Sequence, residues 1–580
     1  MRPKPQPPKP TPVRRETPPP VPIAGGADPL ADAVVAAWPK AQAFWSRFLL
    51  LGPPCHQPDC GSVAQIDLGT RQVCLDLGLI RKLNLADCLE AMLAHEVGHH
   101  VRYPGTLAVH ARMRLIERGL LPVEEYSLTN LFTDLMINDA LRPAYEEQLC
   151  RVYEAFAAAR KQGEPVDPAF QFYLAVYEER WRREPGSLMG GPAEEDAFAQ
   201  QHPGYRADAQ VLGEKLFRLG PNVYTQFLYF VSVVSRYIRW KEGEEPTGSD
   251  PYSCGCGEPT PDDWADALTP DGREREAVRR AKSEGWIDEK TADRMIDPDS
   301  TDRRIATVPG STTADATRVP EVMAAYYRRE AERHLLRPPP QLRHGEATTP
   351  TTHDEWEPGD PLRDIDWVTT LLQRGDVLGA VAPLKRQRVA EVEGWEVPFW
   401  QPRVEVYLDV SGSMPDPRTT RNAMTLAALV LATGAIRAGG WARATLYSSA
   451  PVVYREWCRS EGELSKFLMH YIGAGTDFPF DLLRESIAEC GTDQPIRVVI
   501  TDTDFDHNYK ERKANTGILA EAVARSPHFI LMLHAADDEW TTPYKTAGAR
   551  VIPVTKLDDF PAVAAALSDA LFEGDRHVAR

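Results

Sequence analysis

Two histidines and a glutamate lie close together in the segment His95-Glu96-Val97-Gly98-His99. Apolar side chains recur at helical spacing around it, which predicts an amphipathic helix from about residue 84 to 103. Positions i and i+4 share one face of a helix, so His95 and His99 can bind one zinc ion with Glu96 beside it as a carboxylate base. The spacing therefore predicts zinc-dependent hydrolysis.

A catalytic zinc site needs three protein ligands and a water molecule, so the two histidines leave it incomplete. On the next helix but one, Asn130, Asp134 and Asn138 are spaced i, i+4 and i+8 and form a polar stripe. A carboxylate flanked by two amides suits a metal ligand that hydrogen bonds hold in place. We therefore predict Asp134 as the third ligand, with Asp139 in reserve and His110, on the intervening helix, as a remaining alternative.

Two further groups of candidates depend on proximity in the sequence alone. Tyr126, Tyr145 and Arg142 are near enough to the zinc motif to be considered as oxyanion-stabilising residues. A structural zinc site is the less favoured interpretation of the irregularly spaced segments Cys55-His56, Asp59-Cys60 and Cys254-Gly255-Cys256.

A second set of metal-binding side chains follows directly on the apolar stretch 404–408. Asp409, Ser411 and Ser413 offer one carboxylate and two hydroxyls within five residues. Oxygen ligands suit a hard cation such as Mg²⁺ and do not suit zinc. The spacing therefore predicts a magnesium site, which residues at further strand ends must complete.

The elements around the zinc motif are mainly helical from residue 30 to 240. The exception is 62–75, which alternates as two short strands joined through Gly69, immediately before the His95 helix. A strand edge beside the site would hold an extended substrate as an added strand, although a plain hairpin that covers the helix explains the pattern equally well.

From residue 401 short apolar strands alternate with helical patterns. This alternation predicts a parallel sheet covered on both faces, with ligands at the carboxyl ends of its strands. The fold class is therefore multidomain, with a mainly α, α+β N-terminal domain and a C-terminal α/β domain of the Rossmann-like type.

The expected boundaries follow the changes in composition. We predict a solvated proline-rich tail (1–29), the zinc-binding domain (30–240), an acidic spacer with some helix (241–355), a connecting segment (356–400) and the α/β domain (401–580). The spacer is acidic because its first 60 residues hold 17 Asp or Glu against 8 Lys or Arg.

Composition excludes several function classes. The 580 residues carry a formal charge of −18, which argues against nucleic acid as a partner, because phosphate binding needs clustered Lys and Arg. Nine cysteines, an odd number without an apolar leader, predict reduced thiols and a cytoplasmic location. No apolar run approaches the length of a membrane span.

The zinc motif with the stretch that follows it resembles a known family. HEVGHH followed by NLFTDLMIN is similar to bacterial metallopeptidase-like domains that occur fused to von Willebrand factor A (vWA) domains. The resemblance covers about residues 30 to 150. It implies a zincin-like fold with His95, His99 and Asp134 as zinc ligands and Glu96 as the base.

The segment from Asp409 to Ser413 resembles the D-x-S-x-S loop of a vWA domain, whose metal-ion-dependent adhesion site binds Mg²⁺. The resemblance covers about residues 400 to 575 and implies that Thr476 and Asp502 complete the site. This chain has Thr503-Asp504 where the family usually has glycine, so Asp504 competes with Asp502.

A third resemblance concerns the connecting segment. Residues 356–367 (WEPGDPLRDIDW) resemble the stretch that precedes vWA domains in proteins that work with MoxR-type AAA+ ATPases, which implies such a partner; a plain turn and helix is the alternative. The chain has no P-loop of its own. Together these patterns predict a zinc metallopeptidase for protein or peptide substrates, coupled to a magnesium-dependent vWA domain. The alternative is a non-catalytic adaptor or chelatase-like subunit of an AAA+ ATPase with a structural metal.

Overall fold

The structure is a computed structural model, and it describes the following residues: 20–26, 28–58, 60, 62–121, 127–160, 166–238, 256–297, 300–308, 318–335, 350–374, 382–388, 401–511, 513–534 and 538–573. Its strands are β1 (Val21–Pro22), β2 (Cys55–His56), β3 (Ala64–Asp67), β4 (Gln72–Leu75), β5 (Pro350–Glu355), β6 (Leu384–Arg388), β7 (Arg403–Asp409), β8 (Trp441–Tyr447), β9 (Val452–Val453), β10 (Ile496–Thr501), β11 (Phe529–His534) and β12 (Arg550–Val554).

The α-helices in the first part of the chain are α1 (Pro29–Trp45), α2 (Leu77–Lys82), α3 (Leu89–Val101), α4 (Leu107–Leu120), α5 (Leu128–Ala159), α6 (Pro168–Trp181), α7 (Pro192–Gln201), α8 (Tyr205–Lys215) and α9 (Val223–Val234). Those that follow are α10 (Pro261–Leu268), α11 (Gly272–Ser283), α12 (Glu289–Ile296), α13 (Ser300–Ile305), α14 (Arg318–His334), α15 (Trp367–Arg374), α16 (Ala423–Arg437), α17 (Glu461–Leu468), α18 (Phe480–Cys490), α19 (Phe505–Glu511), α20 (Lys513–Arg525), α21 (Asp538–Thr546) and α22 (Phe560–Glu573).

The zinc motif lies on α3, a helix whose residues are mostly buried. Its apolar positions are buried against α1 on one side and α5 on another. The cap residues of the neighbouring helices follow local rules: the Thr106 side chain accepts from the backbone at the start of α4, and the Ser127 side chain does so at the start of α5. Helix α3 itself has no side-chain cap, so its burial among the neighbouring helices supports the motif.

The predicted hairpin before α3 is present. β3 and β4 pair antiparallel, and residues 68–71 form the turn between them. The two strands belong to a four-stranded sheet with the order β1-β2-β4-β3, so β3 is an edge strand, and it packs on α3.

Helix α5 is bent in its middle. Tyr145 has non-helical φ −132° and ψ 18°, two residues after Pro143. Proline has no N–H for the helical ladder and clashes with the preceding turn, which accounts for a break at this point. The bend divides α5 into two segments that point in different directions.

The expected acidic spacer is more folded than we predicted. Of its described residues, α10 packs against α4, and α14 packs against both α10 and α16. Buried Glu274 pairs with Arg112 of α4 and with Arg304 of α13. The net charge of the spacer reflects the side chains on the solvent-facing side of these helices. Apolar side chains such as Trp264 and Tyr327 are buried on the other side.

The C-terminal unit has the predicted α/β architecture. Its six strands have the order β12-β11-β10-β7-β8-β9, all parallel except the short edge strand β9. Alternate strand residues face opposite layers: α16, α17 and α22 cover one face, and α18, α20 and α21 cover the other. β7 has β8 on one side and β10 on the other, so the topology reverses at its carboxyl end.

Among the described residues, no helix combines the length and the apolar character that a membrane crossing requires. The cytoplasmic location stays a prediction from cysteine content.

Candidate metal centres

Helices α3 and α5 bring three metal-ligating atoms together. Nε2 of His99 lies 3.2 Å from Nε2 of His95 and 3.2 Å from Oδ1 of Asp134, and the third separation, His95 Nε2 to Asp134 Oδ1, is 3.5 Å. All three residues are buried, and they form a group that could hold a metal ion.

The orientation of His95 is fixed from behind. Its Nδ1 lies 2.7 Å from Oδ1 of Asn138, whose amide nitrogen donates to the hydroxyls of Tyr153 and Tyr177, each at 2.9 Å. With both amide hydrogens used on the tyrosines, Oδ1 accepts the proton of Nδ1. The Nε2 lone pair of His95 is therefore left facing Asp134.

His99 is held in the same sense. Its Nδ1 lies 2.9 Å from the backbone carbonyl of Tyr103, which can only accept, so Nδ1 carries the proton. The thiol of Cys256 lies 3.4 Å from the same nitrogen. Two imidazole lone pairs and a carboxylate oxygen thus converge in a buried place, and a cation satisfies all three at once.

The charge balance of Asp134 fits this arrangement. Burial by itself raises the pKa of the carboxyl, but when the rings of His95 and His99 are protonated their hydrogen bonds and charges outweigh it, and the net effect lowers the pKa below its ordinary value. Asp134 is therefore a carboxylate at neutral pH, the form that binds metals.

The close approach of α3 and α5 depends on Gly98. A Cβ atom at this position would lie 2.7 Å from Cγ2 of Ile137 and 2.7 Å from Cζ2 of Trp45. No side chain larger than hydrogen fits there without moving a neighbour. The small residue inside the motif therefore sets the distance between the two histidines and Asp134.

Glu96 is buried and lines a cavity of about 630 Å³, its open mouth included, together with His95 and Asp134. Ser62 and Ala64, at the start of edge strand β3, line the same cavity. The carboxylate predicted as the base, two of the three candidate metal ligands and a strand edge therefore line one cavity.

The structure distinguishes Asp134 from the two other residues that the sequence offered as the third ligand. Asp139 forms a two-bonded ion pair with Arg180, at 2.9 and 3.0 Å, and is not part of the group. His110 is buried on α4, where burial and the positive charge of Arg114 lower its pKa to about 3, and it does not join the group either. The structure thus places Asp134, and neither alternative, against the histidine pair.

Two of the three residues that were considered for oxyanion stabilisation do not reach the site. Arg142 pairs with Glu146, Tyr145 packs on Phe44, and neither lines the cavity; Tyr126 lies outside the described residues. Among the described cysteines and histidines, the suggested structural zinc segments form no ligand group, and their Asp59 and Cys254 also lie outside the described residues.

A tyrosine cluster is the part of the site that the sequence analysis missed. The hydroxyls of Tyr153, Tyr173 and Tyr177 are mutually hydrogen-bonded, with separations of 3.0, 2.7 and 3.5 Å. Tyr173 and Tyr177 are spaced i and i+4 on α6, a signal that marks a shared face but gives no indication of what the face contacts. Our expectation that Asn138 holds Asp134 in place also needs correction, because the amide oxygen of Asn138 lies against Nδ1 of His95 and orients that ring.

The second set of ligands meets at the reversal point of the α/β sheet. Asp409 ends β7, fully buried, and its two oxygens accept from the Ser411 backbone at 2.9 Å and from the Thr501 hydroxyl at 2.8 Å. The hydroxyls of Ser411 and Ser413 are 3.1 Å apart. Burial raises the pKa of Asp409, and the hydrogen bonds from Ser411 offset it only in part.

Asp502 joins this second set and Asp504 does not. Oδ2 of Asp502 accepts from the Ser413 hydroxyl at 2.9 Å, whereas Asp504 is exposed and donates its backbone N–H to Asp502. The loop that carries Thr476 is anchored beside the set, since Gly412 donates to the carbonyl of Ala474 at 2.8 Å. Carboxylate and hydroxyl oxygens from two loops thus gather at the carboxyl ends of β7 and β10, and Thr476 as a further ligand stays a prediction.

Comparisons with known proteins add little to this geometry. No protein-family model matches the chain, and no curated protein matches it. Among solved structures, a chain described as von Willebrand factor type A from Catenulispora acidiphila matches at 14% identity and a TM-score of 0.22, over 29% of this chain and 42% of that one. The aligned part thus spans about two fifths of the solved chain, and at this TM-score we draw nothing from the match.

Proposed function

We propose that the N-terminal unit is a zinc-dependent hydrolase, a metallopeptidase, and that the C-terminal unit is a vWA-type domain that binds a partner protein through Mg²⁺. The observation that carries the first half is the set of separations of 3.2, 3.2 and 3.5 Å among the three ligand atoms. Tetrahedral zinc with bonds near 2.0 to 2.1 Å keeps its ligands about 3.3 Å apart. Two imidazoles and a carboxylate are also a donor set that catalytic zinc accepts.

The side chains around the site have distinct tasks in this proposal. His95, His99 and Asp134 would hold the ion, and a zinc ion so held supplies Lewis acidity and an activated water. Glu96 would accept a proton from the attacking water and pass it to the leaving amine, as a carboxylate on the same cavity can. Asn138 would keep the His95 ring in its ligating orientation.

A peptide substrate is favoured by the position of β3. This strand is at the edge of its sheet and packs on α3, and its first residue, Ala64, lines the cavity together with Ser62, two positions before it. An extended peptide that adds to the edge as a further strand would bring a scissile bond near Glu96.

The second half of the proposal depends on the oxygen set at Asp409. Buried carboxylate and hydroxyl oxygens at a sheet reversal suit Mg²⁺, and an incomplete coordination shell would accept a carboxylate from the partner. An AAA+ ATPase of the MoxR type is the partner that we propose. The exposed apolar side chains of α15, which include Trp367, Leu371 and Leu372, offer it additional contact surface.

The competing proposal is a non-catalytic adaptor with a structural metal. Structural zinc sites are closed by four protein ligands. Among the described residues the group has three, two of which line an open cavity. This difference favours hydrolysis.

Metal content and cleavage test the proposal together. The purified chain should hold about one zinc at the histidine pair, and His95→Ala and Asp134→Asn should lose it, while Asp139→Asn, five positions further along the same helix, should keep it. Glu96→Gln should keep zinc and lose cleavage of an unfolded protein such as casein. Equal behaviour of wild type and Glu96→Gln toward a panel of unfolded proteins would overturn the peptidase in favour of the adaptor.

A further inference from the structure

The cavity beside Glu96 has a mainly apolar lining. The bend at Tyr145 turns the second segment of α5 so that one of its faces lines the cavity. Leu149, Val152, Tyr153 and Phe156 occupy that face at positions i, i+3, i+4 and i+7. The segment therefore contributes a continuous stripe and not an isolated contact.

Most of the residues that line the cavity are apolar. The charged or candidate metal-ligating ones are His95, Glu96 and Asp134, whereas Leu149, Val152 and Phe156 are joined by further apolar side chains, Met92, Leu131 and Phe170. An ionised side chain placed against these apolar residues would lose its hydration without gaining a partner.

A peptide bound along edge strand β3 would lie next to this cavity. Ser62, Val63 and Ala64 line the cavity where the strand begins. A peptide added to the edge has alternate side chains pointing to the same face, so one of them can enter the cavity while its backbone stays on the strand.

We propose that this cavity is a specificity pocket that selects a bulky apolar residue, such as leucine or phenylalanine, next to the scissile bond. The inference rests on the proposed peptidase function and specifies its substrate class. The pocket selects by size and by desolvation together: small side chains leave apolar surface unfilled, and charged side chains are excluded. Each methylene removed from the selected residue should lower kcat/KM by about 10-fold or more.

Binding separates this inference from the proposed chemistry. The full-length Glu96→Gln chain, loaded with zinc, is titrated with fluorescent octapeptides that differ only in one central residue: leucine, phenylalanine, alanine, glutamate or lysine. Leucine and phenylalanine peptides should bind at least about 10-fold more tightly than the alanine peptide, and the charged peptides more weakly still. Equal binding of all five, tighter binding of a charged peptide, or binding of dodecanoate with no peptide bound would overturn the pocket.

The wild type is then tested for cleavage of the same peptides. If the wild type cleaves all five peptides equally well, the inferred specificity pocket is wrong and the peptidase proposal is unaffected. No cleavage in any peptide contradicts the peptidase, while the binding series still decides whether the pocket selects apolar residues.

A variant that binds a different peptide more tightly must still be folded. Such a variant therefore separates a changed pocket from simple unfolding as the cause of a lost preference for apolar peptides. Val152 is half-buried on the cavity-lining face, so Val152→Asp introduces a carboxylate there without filling a tightly packed core position. This variant should bind the lysine peptide more tightly than wild type does and the leucine peptide at least about 10-fold more weakly. Val211→Ala, a substitution of an exposed valine on α8, is the matched control and should leave the order of peptides unchanged. An unchanged order in Val152→Asp would overturn the proposal.

Discussion

The Nδ1 atom of His95 on α3 lies 2.7 Å from the Oδ1 atom of Asn138 on α5. Asn138 is held in turn by the hydroxyls of Tyr153 and Tyr177, so one amide links the ligand helix to both α6 and the bent segment of α5. The geometry of the ligand group is therefore a property of several packed helices and not of the motif alone. The first prediction concerns this contact.

Asn138→Ala should weaken zinc binding by about 10- to 100-fold, because the His95 ring loses the acceptor that fixes its tautomer and orientation. Competition with a chromophoric chelator measures the dissociation constant. Tyr177→Phe, which removes one hydroxyl and keeps the ring, should show a smaller loss. Zinc affinity that stays at the wild-type value in Asn138→Ala would contradict the orienting role.

Gly98→Ala should destabilise the N-terminal unit by about 1 to 3 kcal/mol, because the added methyl overlaps Ile137 and Trp45 and forces α3 away from α5. Urea unfolding followed by tryptophan fluorescence measures the change. Gly119→Ala on α4 is the matched control, since a Cβ there meets nothing within 4 Å. Alanine at this helical position should be neutral or stabilising by up to about 1 kcal/mol. Equal effects of the two substitutions would refute the packing explanation.

His110 should make the protein less stable in mild acid. Burial and Arg114 lower its pKa from the ordinary value of 6.5 to about 3, so the unfolded chain binds the proton more tightly than the folded one between these limits. The contribution of neutral His110 to the free energy of unfolding is fully present above pH 6.5. It is lost as the pH falls below this value, by about 1.4 kcal/mol per pH unit. Denaturant unfolding between pH 7 and pH 4 should show a shallower decline for His110→Leu. Parallel pH profiles for the wild type and His110→Leu would contradict this role of His110.

The α/β unit should bind Mg²⁺ through Asp409 and Asp502. Asp409→Ala should abolish binding and Asp502→Asn should weaken it, since Asp502 accepts from the Ser413 hydroxyl beside Asp409. Isothermal titration of the zinc-loaded chain with MgCl₂ gives the affinity. Asp504→Asn, which changes an exposed neighbour, should bind as wild type does. A loss in Asp504→Asn as large as that in Asp502→Asn would show that the ligand was assigned to the wrong aspartate.

Local periodicity was enough to predict some of these features. His95, Glu96 and His99 are four residues or fewer apart, and any regular helix places the two histidines on one face. The alternation of strands and helices after residue 401 likewise predicted the parallel sheet, because such strands need cover on both faces. The β3–β4 hairpin was predictable for the same reason, since it depends on short-range spacing.

Only the tertiary structure distinguished residues that the sequence left equivalent. Asp134 and Asp139 are both acidic positions on α5, but Asp134 faces the histidines and Asp139 faces Arg180. The tyrosines behind Asn138 come from positions up to 39 residues away, and the cavity is lined by residues of α5 from both sides of the bend at Tyr145. Sequence spacing fixes which side chains share a face of one element, whereas packing between elements decides what that face meets.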